Sequence, residues 1–158
     1  MKAVALASAL AFVAGPCLAA CPIELSVYSG RDGAAAIEFR PAKGAAVTNA
    51  FRLIHGELAL DGFVMWSEGI ERPNGILSHQ CPDGDVTGPE YDACTVWAGV
   101  IYTIDASGEV GLLPRPGESA PERLLFPDLA HAIDTFPDFS GIESKLSWDV
   151  FNLSGCQE

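Results

Sequence analysis

The chain has 158 residues, 21 Asp+Glu against 9 Lys+Arg, a formal net charge of −12 and 49% hydrophobic residues. That much apolar content excludes an intrinsically disordered chain. A surface this acidic repels phosphate backbones and anionic lipid, which sets aside nucleic-acid and membrane-surface binding and favours a cationic partner.

Lys2 opens an unbroken small and apolar run, Ala3 to Gly15, followed by Pro16-Cys17-Leu18-Ala19-Ala20. A charged start, an apolar stretch too short to span a bilayer and a small-residue exit predict a secretory signal peptide over 1–20. Residues 21–158 then form a single disulfide-bonded, β-rich domain that is periplasmic or secreted. The Ala/Gly/Pro-rich composition suggests a bacterial source, and no later run is long enough to span a membrane.

Losing Cys17 with the signal leaves Cys21, Cys81, Cys94 and Cys156. An even count in an exported domain reads as two disulfides. The expected pairing joins the neighbours Cys81 and Cys94 and ties Cys21 to Cys156. Leu18-Ala19-Ala20-Cys21 resembles the lipobox of bacterial lipoproteins, which implies a lipid anchor at Cys21. Lipidation would strand an odd thiol, and Cys21-Pro22 runs straight into a strand-like segment instead of a flexible tether, so a soluble product is the favoured reading.

Along the chain, Ile23, Leu25 and Val27 alternate with polar neighbours, the period of a half-buried strand. Ser29–Gly33 turns, 36–39 returns, Pro41–Gly44 loops and 51–54 alternates again. Asp61-Gly62 between the apolar runs 57–60 and 63–66 predicts a two-residue hairpin turn, with Leu58, Leu60, Phe63 and Met65 sharing the core face. Arg72–Gly75 reads as another turn. Thr95–Ile104 reads as a long strand bulged at Gly99, turned by Asp105–Gly108 into Val110–Leu113. Ser119 and Glu122 stand at capping-box spacing, and Leu124, Leu125, Leu129 and Ile133 recur at helical intervals, so a helix kinked at Pro127 is expected over about 120–135. Leu146, Trp148, Val150 and Phe151 suggest a last strand ending at Cys156, beside the first if Cys21 bridges Cys156. The sum is an α+β fold: a small, mainly antiparallel β domain of six to eight short strands with one kinked helix near the C-terminus.

Cys81–Cys94 encloses Asp83, Asp85, Thr87, Glu90 and Asp92, a hard-oxygen set with the alternating spacing of the front half of an EF-hand loop. It is a calcium candidate set against a plain acidic turn, because Cys94 stands where the bidentate Glu belongs. His55, His79 and His131 share no metal-ligand spacing. No G-x-S-x-G elbow, phosphate loop or nucleotide fingerprint is present, and Glu57, Asp61, Glu68 and Glu71 offer only a generic carboxylate set for glycoside cleavage. Trp66, Trp97 and Trp148 each fall in an expected strand and form either a recognition surface or a buried core. The leading expectation is a non-catalytic exported binding protein for a cationic envelope protein, in a physical setting like that of periplasmic inhibitor and immunity proteins. The alternatives are an envelope polysaccharide or peptide hydrolase and a calcium-stabilised structural protein.

Overall fold

The computed structural model describes residues 20–42, 48–66, 69, 71–85, 87–139 and 145–157. The expected signal peptide, Ala20 apart, lies outside them, as does Glu68 of the carboxylate set. Ten strands form one antiparallel sheet: β1 Ser26–Gly30, β2 Ala35–Pro41, β3 Asn49–His55, β4 Leu58–Trp66, β5 Pro73–Ser78, β6 Thr95–Val100, β7 Tyr102–Ile104, β8 Val110–Leu112, β9 Arg123–Leu125 and β10 Val150–Cys156. Their order is β6-β5-β4-β3-β2-β1-β10-β9-β7-β8. Two short α-helices, α1 (Gly88–Cys94) and α2 (Leu129–Thr135), and two 3-10 turns, Ile23–Leu25 and Pro137–Phe139, complete the described elements.

Ten strands correct the expected six to eight. Strands β7, β8 and β9 are three residues each, too short to carry a period of two. The Arg72–Gly75 turn is instead the start of β5, with Asn74 opposite Met65 of β4 and Val100 of β6.

The sheet curls into a half-barrel. Strands β6 and β7 are one run broken at Ile101, whose N–H still donates to the Pro73 carbonyl at 3.2 Å. That run pairs with β5 through its first part and with β9 through its second, so it ties together distant parts of the strand order. Rings fill the interior. Phe126, fully buried after β9, meets Phe51 of β3 at 5.7 Å, Trp97 of β6 at 5.4 Å and Phe151 of β10 at 5.7 Å between centroids. Phe39 extends the chain of rings from Phe51 to Tyr28. The Tyr28 hydroxyl donates to the Pro121 carbonyl at 2.9 Å, and burial pushes its pKa far above the usual tyrosine range.

Three local expectations change. Ile23–Leu25 is a 3-10 turn, so Ser26 and Tyr28 face the core while Val27 is only half-buried. The helix expected from 120 is strand β9 up to Leu125; only Leu129–Thr135 is helical, because Pro127 lacks the N–H an uninterrupted helix needs. The capping pair is Thr87 and Glu90 of α1, not Ser119 and Glu122: Glu90 Oε2 accepts from the Thr87 N–H at 3.0 Å and hydroxyl at 2.6 Å.

Asp61-Gly62 is not a turn. β4 runs straight through it, and the chain reverses at Gly56-Glu57, where His55 opposes Leu58 and Gly56 takes φ +60°. The core face of β4 is therefore Leu60, Gly62 and Val64, and Phe63 and Met65 lie on the other. Gly62 serves packing: a Cβ there would sit 2.5 Å from the Phe51 ring and 2.8 Å from the Ile76 carbonyl oxygen.

The disulfides Cys21–Cys156 and Cys81–Cys94 are formed, with Cα–Cα separations of 5.8 and 5.1 Å. The first lies where β10 runs beside β1, Cys156 opposite Ser26. Two disulfides fit the oxidising extracellular or periplasmic space. Among the described residues no helix is long and apolar enough to cross a membrane.

Gly62→Ala should therefore destabilise the fold by about 1–3 kcal/mol through overpacking. Gly88→Ala, with open space around its Cβ at the start of α1, should leave stability within about 0.5 kcal/mol or raise it. Denaturant titration of both variants checks this, and equal stabilities would contradict the packing role of Gly62.

Candidate binding face on the outside of the sheet

Cross-strand register builds this face. Leu112, Tyr102, Leu125 and Val150 are successive partners across β8, β7, β9 and β10, and so are Val110, Ile104, Arg123 and Asn152. Directly opposed residues project to the same side of a sheet. Leu124 and Phe151, their neighbours in sequence, are fully buried in the interior, so both rows point outward. The exposed face of these strands is thus unusually apolar, with Val110 58% and Leu112 40% accessible. Trp148, two residues before β10, is 53% accessible beside it.

Two depressions share Trp148 and Val150. One, about 200 Å³, is lined also by Leu125, Ala130, Ser147 and Asp149. The other, about 170 Å³, is lined also by Arg31, Arg123 and Asn152. The Arg31 guanidinium carbon stands 5.7 Å from the centre of the Trp148 ring, a cation–π contact. Arg123 donates to the Asp105 carbonyl. The nearby carboxylates are engaged elsewhere. Asp149 accepts the N–H groups of Asp128 and Ala130 at the start of α2, at 3.1 and 2.8 Å. Asp32 accepts the Ala34 N–H at 3.0 Å and the Ser147 hydroxyl at 3.2 Å. Those bonds, the Ala34 N–H first, hold the Asp32 carboxyl below the usual range.

The three tryptophans do not share a surface. Trp97 is in the core and donates its indole N–H to the Pro127 carbonyl at 2.8 Å. Trp66 ends β4, half-buried, with the Arg115 guanidinium 4.5 Å over its ring. Trp148 precedes β10 instead of lying within it, and of the three it alone is exposed.

The calcium candidates are also dispersed. Asp83 and Asp85 lie in exposed bends, Thr87 precedes α1, and Glu90 and Asp92 lie within it. The loop expected between the cysteines is partly this helix. Residues two apart on a helix diverge, so Glu90 and Asp92 do not face one site, and Glu90 is held by Thr87. Among the described residues no group of three or more His, Cys, Asp or Glu is arranged to hold a metal. His55 is buried with Nδ1 3.3 Å from the Ala34 carbonyl oxygen, His79 packs edge-on against Phe136 and Phe139, and His131 is exposed on α2. Of the carboxylate set, Glu57 and Glu71 are exposed, and Asp61 is clamped by Arg52 through two hydrogen bonds of 2.7 and 2.9 Å.

Sequence reasoning named Trp148 but missed its surroundings. Arg31 and Arg123 lie 92 positions apart from each other only in sequence; strand register is what places them at one depression. No family model, no curated protein and no solved structure matches this chain.

Ser147→Ala should raise the midpoint of Asp32, since it removes a hydrogen bond to the charged form. The Ala34 N–H remains, so the midpoint should stay below the ordinary carboxylate value. Because that folded midpoint is depressed, its stabilisation is present at neutral pH and is lost as pH falls through it. NMR titration of the Asp32 carboxyl carbon checks this; an unchanged or lowered midpoint would contradict the contact.

Proposed function

We propose that the protein is a small exported binding module without catalytic activity, and that it engages a cationic envelope protein through the outer face around Trp148. The observation that carries this reading is Trp148 itself, 53% exposed at the β10 side of a face whose far strand, β8, exposes Val110 and Leu112, while the other described large aromatics are buried or half-buried. A large ring left in solvent at the edge of a sheet is the kind of anchor that dominates protein interfaces. Rings occupy the space enclosed by the curled sheet, so the outside is what the molecule offers a partner. The net charge of −12 supplies long-range attraction for a basic partner, in the manner of inhibitor- or immunity-type modules.

The test is retention of envelope proteins on the immobilised protein, eluted with rising salt. A basic protein should be held at low salt and released at moderate salt. Trp148→Ala should weaken its retention about tenfold or more, the loss typical of a central aromatic anchor. Retention indifferent to both salt and Trp148→Ala would overturn the proposal.

A further inference from the structure

We infer that the groove divided by Trp148 is a binding site for an apolar carboxylate, a carboxylate group joined to a short branched or aromatic body. This rests on the reading of the outer face as the binding surface and names what that face recognises. Among the described residues, Arg40, Arg52 and Lys145 are spent in ion pairs with Glu38, Asp61 and Asp134, whereas Arg31, Arg72, Arg115 and Arg123 are in none. In so acidic a chain, two of these arginines line one depression together with Asn152, Arg31 stacked on Trp148 and Arg123 donating to the Asp105 carbonyl, neither facing a carboxylate partner. A guanidinium is a planar fork of donors that matches a carboxylate.

The other side of Trp148 has the opposite chemistry. There Leu125, Ala130 and Val150 form an apolar hollow of about 200 Å³, and its two carboxylate neighbours are already satisfied by Asp128, Ala130, Ala34 and Ser147. Arg123 and Leu125 lie two residues apart on β9, as Asn152 and Val150 do on β10, and each pair shares the outward side. Two residues along a strand span about 7 Å. That is on the order of the distance from a carboxylate to the tip of a leucine or phenylalanine side chain. The site therefore fits either a polypeptide ending in an apolar residue, the carboxylate at the arginines and the last side chain in the hollow, or a free small acid of the same shape.

The test follows the Trp148 indole N–H by NMR while N-acetyl-L-leucine, its neutral amide N-acetyl-L-leucinamide, 4-methylpentanoate and inorganic phosphate are titrated separately. N-acetyl-L-leucine should give a saturable shift, and the amide should bind about tenfold more weakly or not at all. Arg31→Gln, at an exposed turn, should weaken the carboxylate about two- to fivefold, and adding Arg123→Gln should abolish saturation. Preference for N-acetyl-L-leucine over 4-methylpentanoate supports the site with a chain end as its ligand; the reverse preference supports it with a free acid. Equal binding of the amide, phosphate binding as tightly as the carboxylate, or no saturation would each overturn it. If N-acetyl-L-leucine fails while Trp148→Ala still releases a captured protein, this inference falls and the binding-face reading stands. If it binds while retention ignores Trp148→Ala, the binding-face reading falls alone.

Discussion

Phe126 must meet rings from β3, β6 and β10 together, and the shape of the molecule depends on that meeting. Strands β3 and β10 are separated by β2 and β1 in the sheet, so their rings reach a common centre only if the sheet bends strongly. Burying large aromatic side chains is the largest single source of stabilisation open to a domain of this size. The curl, the break at Ile101 and the close approaches at Gly62 and Gly75 all serve it. At Gly75 a Cβ would lie 2.7 Å from Ile101 and 3.0 Å from the Trp97 ring, so the glycine gives β5 room to lie against the run that ties the sheet.

A filled interior has a consequence for function. Side chains on a strand alternate, so every inward Leu124 or Phe151 obliges its neighbours outward. On most strands the outward positions are half-buried or polar, Tyr102, Ile104 and Leu125 of β7 and β9 among the half-buried ones, whereas β8 presents Val110 and Leu112 to solvent. The arginines that flank this patch are held from different directions, Arg31 from the β1–β2 turn and Arg123 from β9. The anchoring of α2 by Asp149 and of the 105–109 turn by Asp105 fixes the patch at two borders. Asp105 accepts the N–H groups of Ser107 and Glu109 at 2.8 and 2.9 Å.

Much of the strand pattern was legible in the sequence. The stretches 36–39, 51–54 and 95–104 read as strands and coincide with β2, β3 and the β6–β7 run, and the even count of Cys21, Cys81, Cys94 and Cys156 points to two disulfides. Other signals were outweighed by tertiary context. Asp-Gly is a turn signal only where both residues are free to reverse the chain; at Asp61-Gly62 the packing of Phe51 over Gly62 and the Arg52–Asp61 clamp hold the strand extended. Leu124 and Leu125 fit a helical period as well as a strand one, and pairing of β9 with both β7 and β10 decides for the strand. The exposed face around Trp148 was illegible because it depends on register between segments far apart in the chain, which no local period records.

The central claim is that recognition occurs at Trp148 on the outside and not in the ring-filled interior. The most direct measurement is fluorine NMR of the protein carrying 5-fluorotryptophan at its three tryptophans, recorded free and with the captured envelope partner. The account predicts that the Trp148 resonance shows the largest solvent isotope shift when free and moves on binding, while the Trp97 resonance stays fixed. A Trp97 resonance that moves while that of Trp148 does not would contradict it.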